Sequence, residues 1–149
     1  FKSPRAHLQS YCELVITLSI RKTREELREL DSTKVASILP SVYEFRFVKL
    51  AILDNTSQQA LWIYMGRSSD YLIVPGYFCS CMDFMVRTVI NKTSPYCKHL
   101  AGVQIAMKAK KYAVLHVDVE ESAVIIAEIL ENRFSSTLRK LLSRGKQTS

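Results

Sequence analysis

The stretch that decides the fold runs Val42-Tyr43-Glu44-Phe45-Arg46-Phe47-Val48-Lys49-Leu50-Ala51-Ile52-Leu53, then Leu61-Trp62-Ile63-Tyr64, then Tyr71-Leu72-Ile73-Val74, and ends on Phe78-Cys79-Ser80-Cys81. Its first three runs are rich in β-branched and aromatic residues, which suit a pleated, half-buried surface. Asp54-Asn55-Thr56-Ser57 and Gly66-Arg67-Ser68-Ser69-Asp70 separate them as turn clusters, and Pro75-Gly76 closes the third run. Short strands at this spacing predict a small antiparallel meander.

Helices are expected on both sides. Ser3-Pro4 reads as an N-cap followed by Pro at the first helical position. Leu8, Tyr11, Cys12, Val15 and Leu18 continue it at helical spacing, and Cys12 reads as a buried, inert thiol. Residues 24–38 form a second helical pattern with a solvated charged face, and Pro40 is expected to end it. Beyond the cysteine pair, Phe84, Met85, Val86 and Val89 suggest a short helix before a turn over 91–95. Leu100, Val103 and Met107 mark a helix over 99–111. Asp118 and Glu121 resemble a capping box that opens a helix running to Leu130, and a last helix is expected over about 131–143. The chain is therefore read as α+β and as one compact domain overall. Its parts are a helical segment over 1–42, a meander with a cysteine-rich site over 43–118, and C-terminal helices over 119–149.

The most informative pattern is Cys79-Ser80-Cys81, fifteen residues, then Cys97-Lys98-His99. Two cysteines one residue apart in an extended chain project to the same face. Cys97 and His99 close the other side from a turn that leads into a helix. Three Cys and one His match a tetrahedral structural zinc site, and soft thiolates favour zinc over magnesium or calcium. Lys98 and the N-terminal end of the following helix both ease the gathering of negative charge. The free nitrogen of His99 is expected to donate to an acceptor outside the ligand set, and Phe84 to pack beneath the site as a core residue touching no ligand. His7 and His116 are isolated and read as ordinary residues. Four protein ligands leave no open position for catalysis, and the sequence shows no His-Glu helical pair, Gly-rich phosphate loop or nucleophile–base pair. Asp83 is better explained as a carboxylate at a helix start than as a general base. An enzyme is not expected.

Composition agrees with an ordinary soluble globular protein. The 149 residues are 48% hydrophobic and 23% charged, with 4 Gly and 4 Pro, so the chain is neither linker-rich nor disordered. Apolar stretches such as Leu14–Ile20 fall well short of the roughly 20 residues of a membrane span, and no membrane partner is expected. The first residues show no signal pattern and read as a trimmed or internal start. Net charge is +7, and most of the excess lies in residues 75–149. That suits a nucleic acid or an acidic partner, or solubility alone. Lys98, Lys108, Lys110, Lys111, Arg139, Lys140 and Arg144 are the candidate DNA-facing residues. Phe134, Leu138, Leu141 and Leu142 recur at helical period. That stripe either packs on the domain's own core or docks in a partner's groove, and the basic face beside it is open to a phosphate backbone.

Three stretches carry a family resemblance. Phe78-Cys79-Ser80-Cys81 with Phe84, then Cys97-Lys98-His99-Leu100, resemble the SWIM-type zinc finger, and Ile63-Tyr64-Met65-Gly66-Arg67-Ser68-Ser69 resembles the strand that precedes it. The match covers roughly residues 45–130 and is nearest to the small SWIM-domain subunits of eukaryotic Shu complexes. Gly102 stands where that family usually has Ala, and reads as a tolerated variation that permits close packing. The resemblance implies one structural Zn2+ on Cys79, Cys81, Cys97 and His99, and a nuclear, non-enzymatic subunit. It further implies pairing with a RecA-like recombinase paralogue to support recombinase filaments in homologous-recombination repair, with single-stranded DNA met directly or through that partner. The alternative it leaves is a SWIM DNA- or protein-binding module of a transposase or chromatin regulator.

Overall fold

The structure is a computed structural model, and it describes residues 31–53 and 60–144. The expected first helix, the beginning of the second helical pattern and the turn at 54–57 lie outside the described residues. What is described is an α+β fold, a five-stranded sheet flanked by helices. In chain order the elements are α1 (Ser32–Tyr43), β1 (Phe47–Ile52), β2 (Ala60–Met65), β3 (Asp70–Val74), β4 (Phe78–Cys79), a π-helical segment (Phe84–Ile90), α2 (Lys98–Ala109), β5 (Ala113–Val117), α3 (Val119–Asn132) and α4 (Ser136–Arg144).

The meander is present as expected. Phe47 faces Tyr64 across β1 and β2, Tyr64 faces Tyr71 across β2 and β3, and Ile73 faces Cys79 across β3 and β4. The sheet order is β4-β3-β2-β1-β5, and β5 lies parallel to β1 with Leu50 opposite Leu115. The sequence reading left 112–117 unassigned between two helices, although Ala113, Leu115 and Val117 alternate as a strand requires.

Alternation sorts the side chains into two cores. Phe47, Trp62 and Ile73 face α1, α2 and the cysteine site, together with Ile38, Val42, Leu100 and Val103. Val48, Leu50, Ile63, Leu72, Leu115 and Val117 face α3 and α4, where Ile125, Ile129 and Leu138 meet them. The sheet is thus the middle of three layers.

Three helix boundaries differ from expectation. Pro40 lies inside α1 instead of ending it. Its ring is on the exposed side, and its own carbonyl still accepts from Glu44 N at 3.0 Å, so only one ladder bond near the helix end is lost. α3 ends at Asn132 with Arg133 in a left-handed conformation (φ 58°), so the last helix starts at Ser136 and not near 131. The segment after Cys81 is π-helical, as the Asn91 N–H to Val86 carbonyl bond of 2.9 Å shows. The capping box is present: Glu121 N donates to Asp118 Oδ1 (2.7 Å) and Asp118 N to Glu121 Oε1 (3.1 Å).

Candidate metal centre

Each ligand candidate is placed by a different local device. Cys79 ends β4. Ser80 then continues the edge, its N–H donating to the Leu72 carbonyl (3.0 Å) and its Oγ accepting from Leu72 N (2.9 Å). Ser80 is thereby held to β3 while Cys79 and Cys81 on either side turn into the core. Cys97 is the extended residue immediately before α2, and His99 lies in that helix's first turn. The helix N-terminus, with its partial positive charge, is therefore at the site, as expected.

The four candidates come together and are buried, with all their ligand atoms within 4.8 Å of one another. Cys97 Sγ is 3.9 Å from His99 Nδ1, close to the roughly 3.6–3.8 Å between ligand atoms of a tetrahedral zinc site. The cysteines are free thiols. This set is compatible with one metal ion.

Electrostatics favour a cation here. Hydrogen bonds from Cys79 and Cys97 push the Cys81 thiol far below its ordinary value. Its bond to Cys81 and its burial push Cys79 far above. Cys97 is lowered by its bond to Cys79, but its bond to Cys81, burial and the charge on Cys81 outweigh that and take it up to about 12. A divalent cation is what allows Cys79 and Cys97 to ionise.

His99 packs against two neighbouring aromatic rings, with centroids 4.6 Å from Tyr64 and 4.9 Å from Tyr71. Sequence reasoning assigned these tyrosines no role at the site. The signal was present, because Tyr64 and Tyr71 share the strand face of Trp62 and Ile73, but using it requires knowing the register. Phe84 is buried beside the cysteines and meets Phe78 edge to face at 5.7 Å. One correction applies: its backbone N–H donates to Cys81 Sγ at 3.3 Å, so the residue does touch a ligand. Asp83 makes no side-chain cap bond and pairs instead with Arg87 (3.1 Å) on the surface.

The remaining candidates divide. Leu138 is fully buried in the α3–α4 core, and Leu141 and Leu142 pack half-buried against it. Phe134 is covered on one face by the Arg139 guanidinium, 3.8 Å from its ring centre. Leu138, Leu141 and Leu142 therefore pack on the domain's own core, while Phe134 stays exposed. Arg139 is committed to Asp70, a fully buried carboxylate, through bonds of 2.6 and 2.9 Å, which takes it out of an exposed basic face. Lys140 and Arg144 are exposed on α4. Lys98, Lys108 and Lys110 are exposed on or just past α2, with Lys111 half-buried beside them. The basic candidates thus occupy opposite faces of the sheet.

No family model matches the chain, and neither a curated protein nor a solved structure matches it. No helix among the described residues is long and apolar enough to cross a membrane.

Proposed function

We propose that this chain is a zinc-binding, non-enzymatic subunit of the SWIM type. In this reading it pairs in the nucleus with a RecA-like recombinase paralogue and supports assembly or stability of the recombinase filament during homologous-recombination repair. One observation carries the reading: Cys79, Cys81, Cys97 and His99, in the Cys-x-Cys … Cys-x-His order of that finger, gather within 4.8 Å in a buried cluster. A closed set of four protein donors suits a structural ion rather than a catalytic one, and three sulfurs suit zinc.

The test has two parts. Protein purified without chelator is expected to carry one zinc per chain by elemental analysis. Affinity capture of the full chain from cells, followed by mass spectrometry, is expected to recover a RecA-like paralogue. Recovery of a transposase or a chromatin ATPase instead would replace the Shu-type assignment, and absence of zinc would remove the finger itself.

A further inference from the structure

α1 and α2 lie side by side and run the same way. At the start of α1, Asp31 N donates to Tyr96 Oη (2.9 Å), and Lys34 Nζ bonds Ser94 Oγ and the Tyr96 carbonyl just ahead of α2. At the far end, Lys111 Nζ sits 5.2 Å from the Tyr43 ring centre and 5.8 Å from that of Phe45. The two helices also end alike. After α1, Phe45 N donates to the Val42 carbonyl and Arg46 N to the Ser41 carbonyl, both at 3.1 Å. After α2, Lys110 N donates to the Met107 carbonyl (3.3 Å) and Lys111 N to the Ala106 carbonyl (3.0 Å). Both are Schellman caps, and the residue each holds in the left-handed region is ordinarily Gly. Here those residues are Phe45 (φ 56°) and Lys110 (φ 55°).

A Phe in that conformation is strained, because its Cβ crowds the following carbonyl oxygen. Core packing does not explain it, because Phe45 is 48% exposed and Tyr43 beside it 61% exposed. The neighbourhood is basic. Lys108 and Lys110 are exposed, and Lys111 reaches the rings. The nearby acid, Glu44, is paired with Arg46 at 2.6 Å; that bond, with Arg67 contributing at longer range, holds its carboxyl below the ordinary value. Exposed aromatic faces interleaved with cations are what an unpaired polynucleotide requires: bases stack on rings while ammonium groups meet phosphates. A duplex keeps its bases stacked on one another and gains only the second of these.

We infer that Tyr43, Phe45, Lys108, Lys110 and Lys111 form a binding platform for single-stranded nucleic acid at the shared end of α1 and α2. The platform stands on this surface alone, whichever protein the chain pairs with; a failed partner capture leaves it intact, and lost nucleic-acid binding leaves the partner reading intact.

Fluorescence anisotropy with labelled oligothymidylate, and with a duplex of equal length, tests it on the full metal-loaded chain. The single strand is expected to bind more tightly. Phe45→Gly is the decisive variant, because Gly suits the left-handed cap and leaves the melting temperature equal or higher. It is expected to weaken single-strand binding about tenfold while changing duplex binding little. Lys110→Gln with Lys111→Gln should lower the slope of log affinity against log salt by about 0.7 per lysine. Unchanged affinity in a folded Phe45→Gly protein overturns the platform, and so does equal binding of single strand and duplex by the unaltered chain.

Discussion

Gly102 shows how much a single hydrogen can decide. A Cβ at this position would lie 2.5 Å from Ile38 Cγ1 and 2.5 Å from Phe47 Cζ. Both neighbours are buried, Phe47 completely, so neither side chain has room to yield. Ala is the better helix former by about 1 kcal/mol, yet overpacking a filled core costs about 1–3 kcal/mol. Gly102→Ala is therefore expected to destabilise the chain by about 1 kcal/mol, read as a lower denaturant midpoint at unchanged slope. The variation that looks merely tolerated in the sequence is required by the approach of α2 to α1 and β1. At this scale the four ligand candidates were legible because metal chemistry fixes residue type and spacing. Tyr64 and Tyr71 were not, because their contact with His99 depends on strand register and helix placement together.

Among the elements, α4 is held by two polar devices that no periodicity announces. Asp70 accepts from Ser135 N (2.9 Å) and from Nη1 and Nη2 of Arg139, which ties α4 to the sheet. Removing one partner leaves a buried charge unpaired, a loss of about 3–5 kcal/mol when both groups are dry. Arg139 is 29% exposed, so Arg139→Ala is expected near the lower end, about 3 kcal/mol, by chemical denaturation. The double variant Asp70→Leu, Arg139→Leu should recover part of that loss. The second device is Glu128, which accepts from Ser135 Oγ (2.6 Å), Thr137 Oγ1 (2.7 Å) and Thr137 N (3.2 Å) across the turn from α3 to α4. The bond from Ser135, then those from Thr137, hold its carboxyl below the ordinary value, while burial acts in the opposite direction. A depressed carboxylate adds stability that is complete above its unfolded pKa of about 4.3 and is lost as pH falls through the folded value. The melting temperature of Glu128→Gln should lie below that of the parent at pH 7, and the gap should shrink as pH falls below about 4.3 and through the lowered folded value. A gap independent of pH would mean that the charge on Glu128 is irrelevant. Sequence showed the capping box at Asp118 because capping is a local pattern. It misplaced the ends of α1 and α3 because an exposed proline and a left-handed Arg133 are tolerated for reasons of context.

At the scale of the molecule, the two cores share a sheet but not a chemistry. The core on the α1–α2 side contains the three site cysteines together with Trp62, while the α3–α4 side is aliphatic. Structural zinc sites contribute on the order of 10 kcal/mol, comparable with the whole stability of a domain. Stripping the metal from loaded protein is therefore expected to loosen the α1–α2 side first. Trp62 is the single tryptophan and is buried, so its emission should move to the red on chelation and return when zinc is restored. Amides of α2 should lose protection before those of α3. An unmoved emission from protein shown to have lost its metal would separate the ion from that core. The three-layer arrangement was not legible in the sequence. The meander and the flanking helices were, but without β5 nothing placed α3 and α4 on the opposite face of the sheet.

The four donors arrive on two arms of the chain, Cys79 and Cys81 before the exposed turn around Lys92, Cys97 and His99 after it. A protease that severed that turn would cut the backbone without parting the product, since a bound ion would still bridge both arms and the sheet would still join β5 to β1. The nicked molecule would travel as one particle in native conditions and as two peptides once denatured. A chelator would then bring that separation nearer, as a reducing agent does for halves joined by a sulfur bridge.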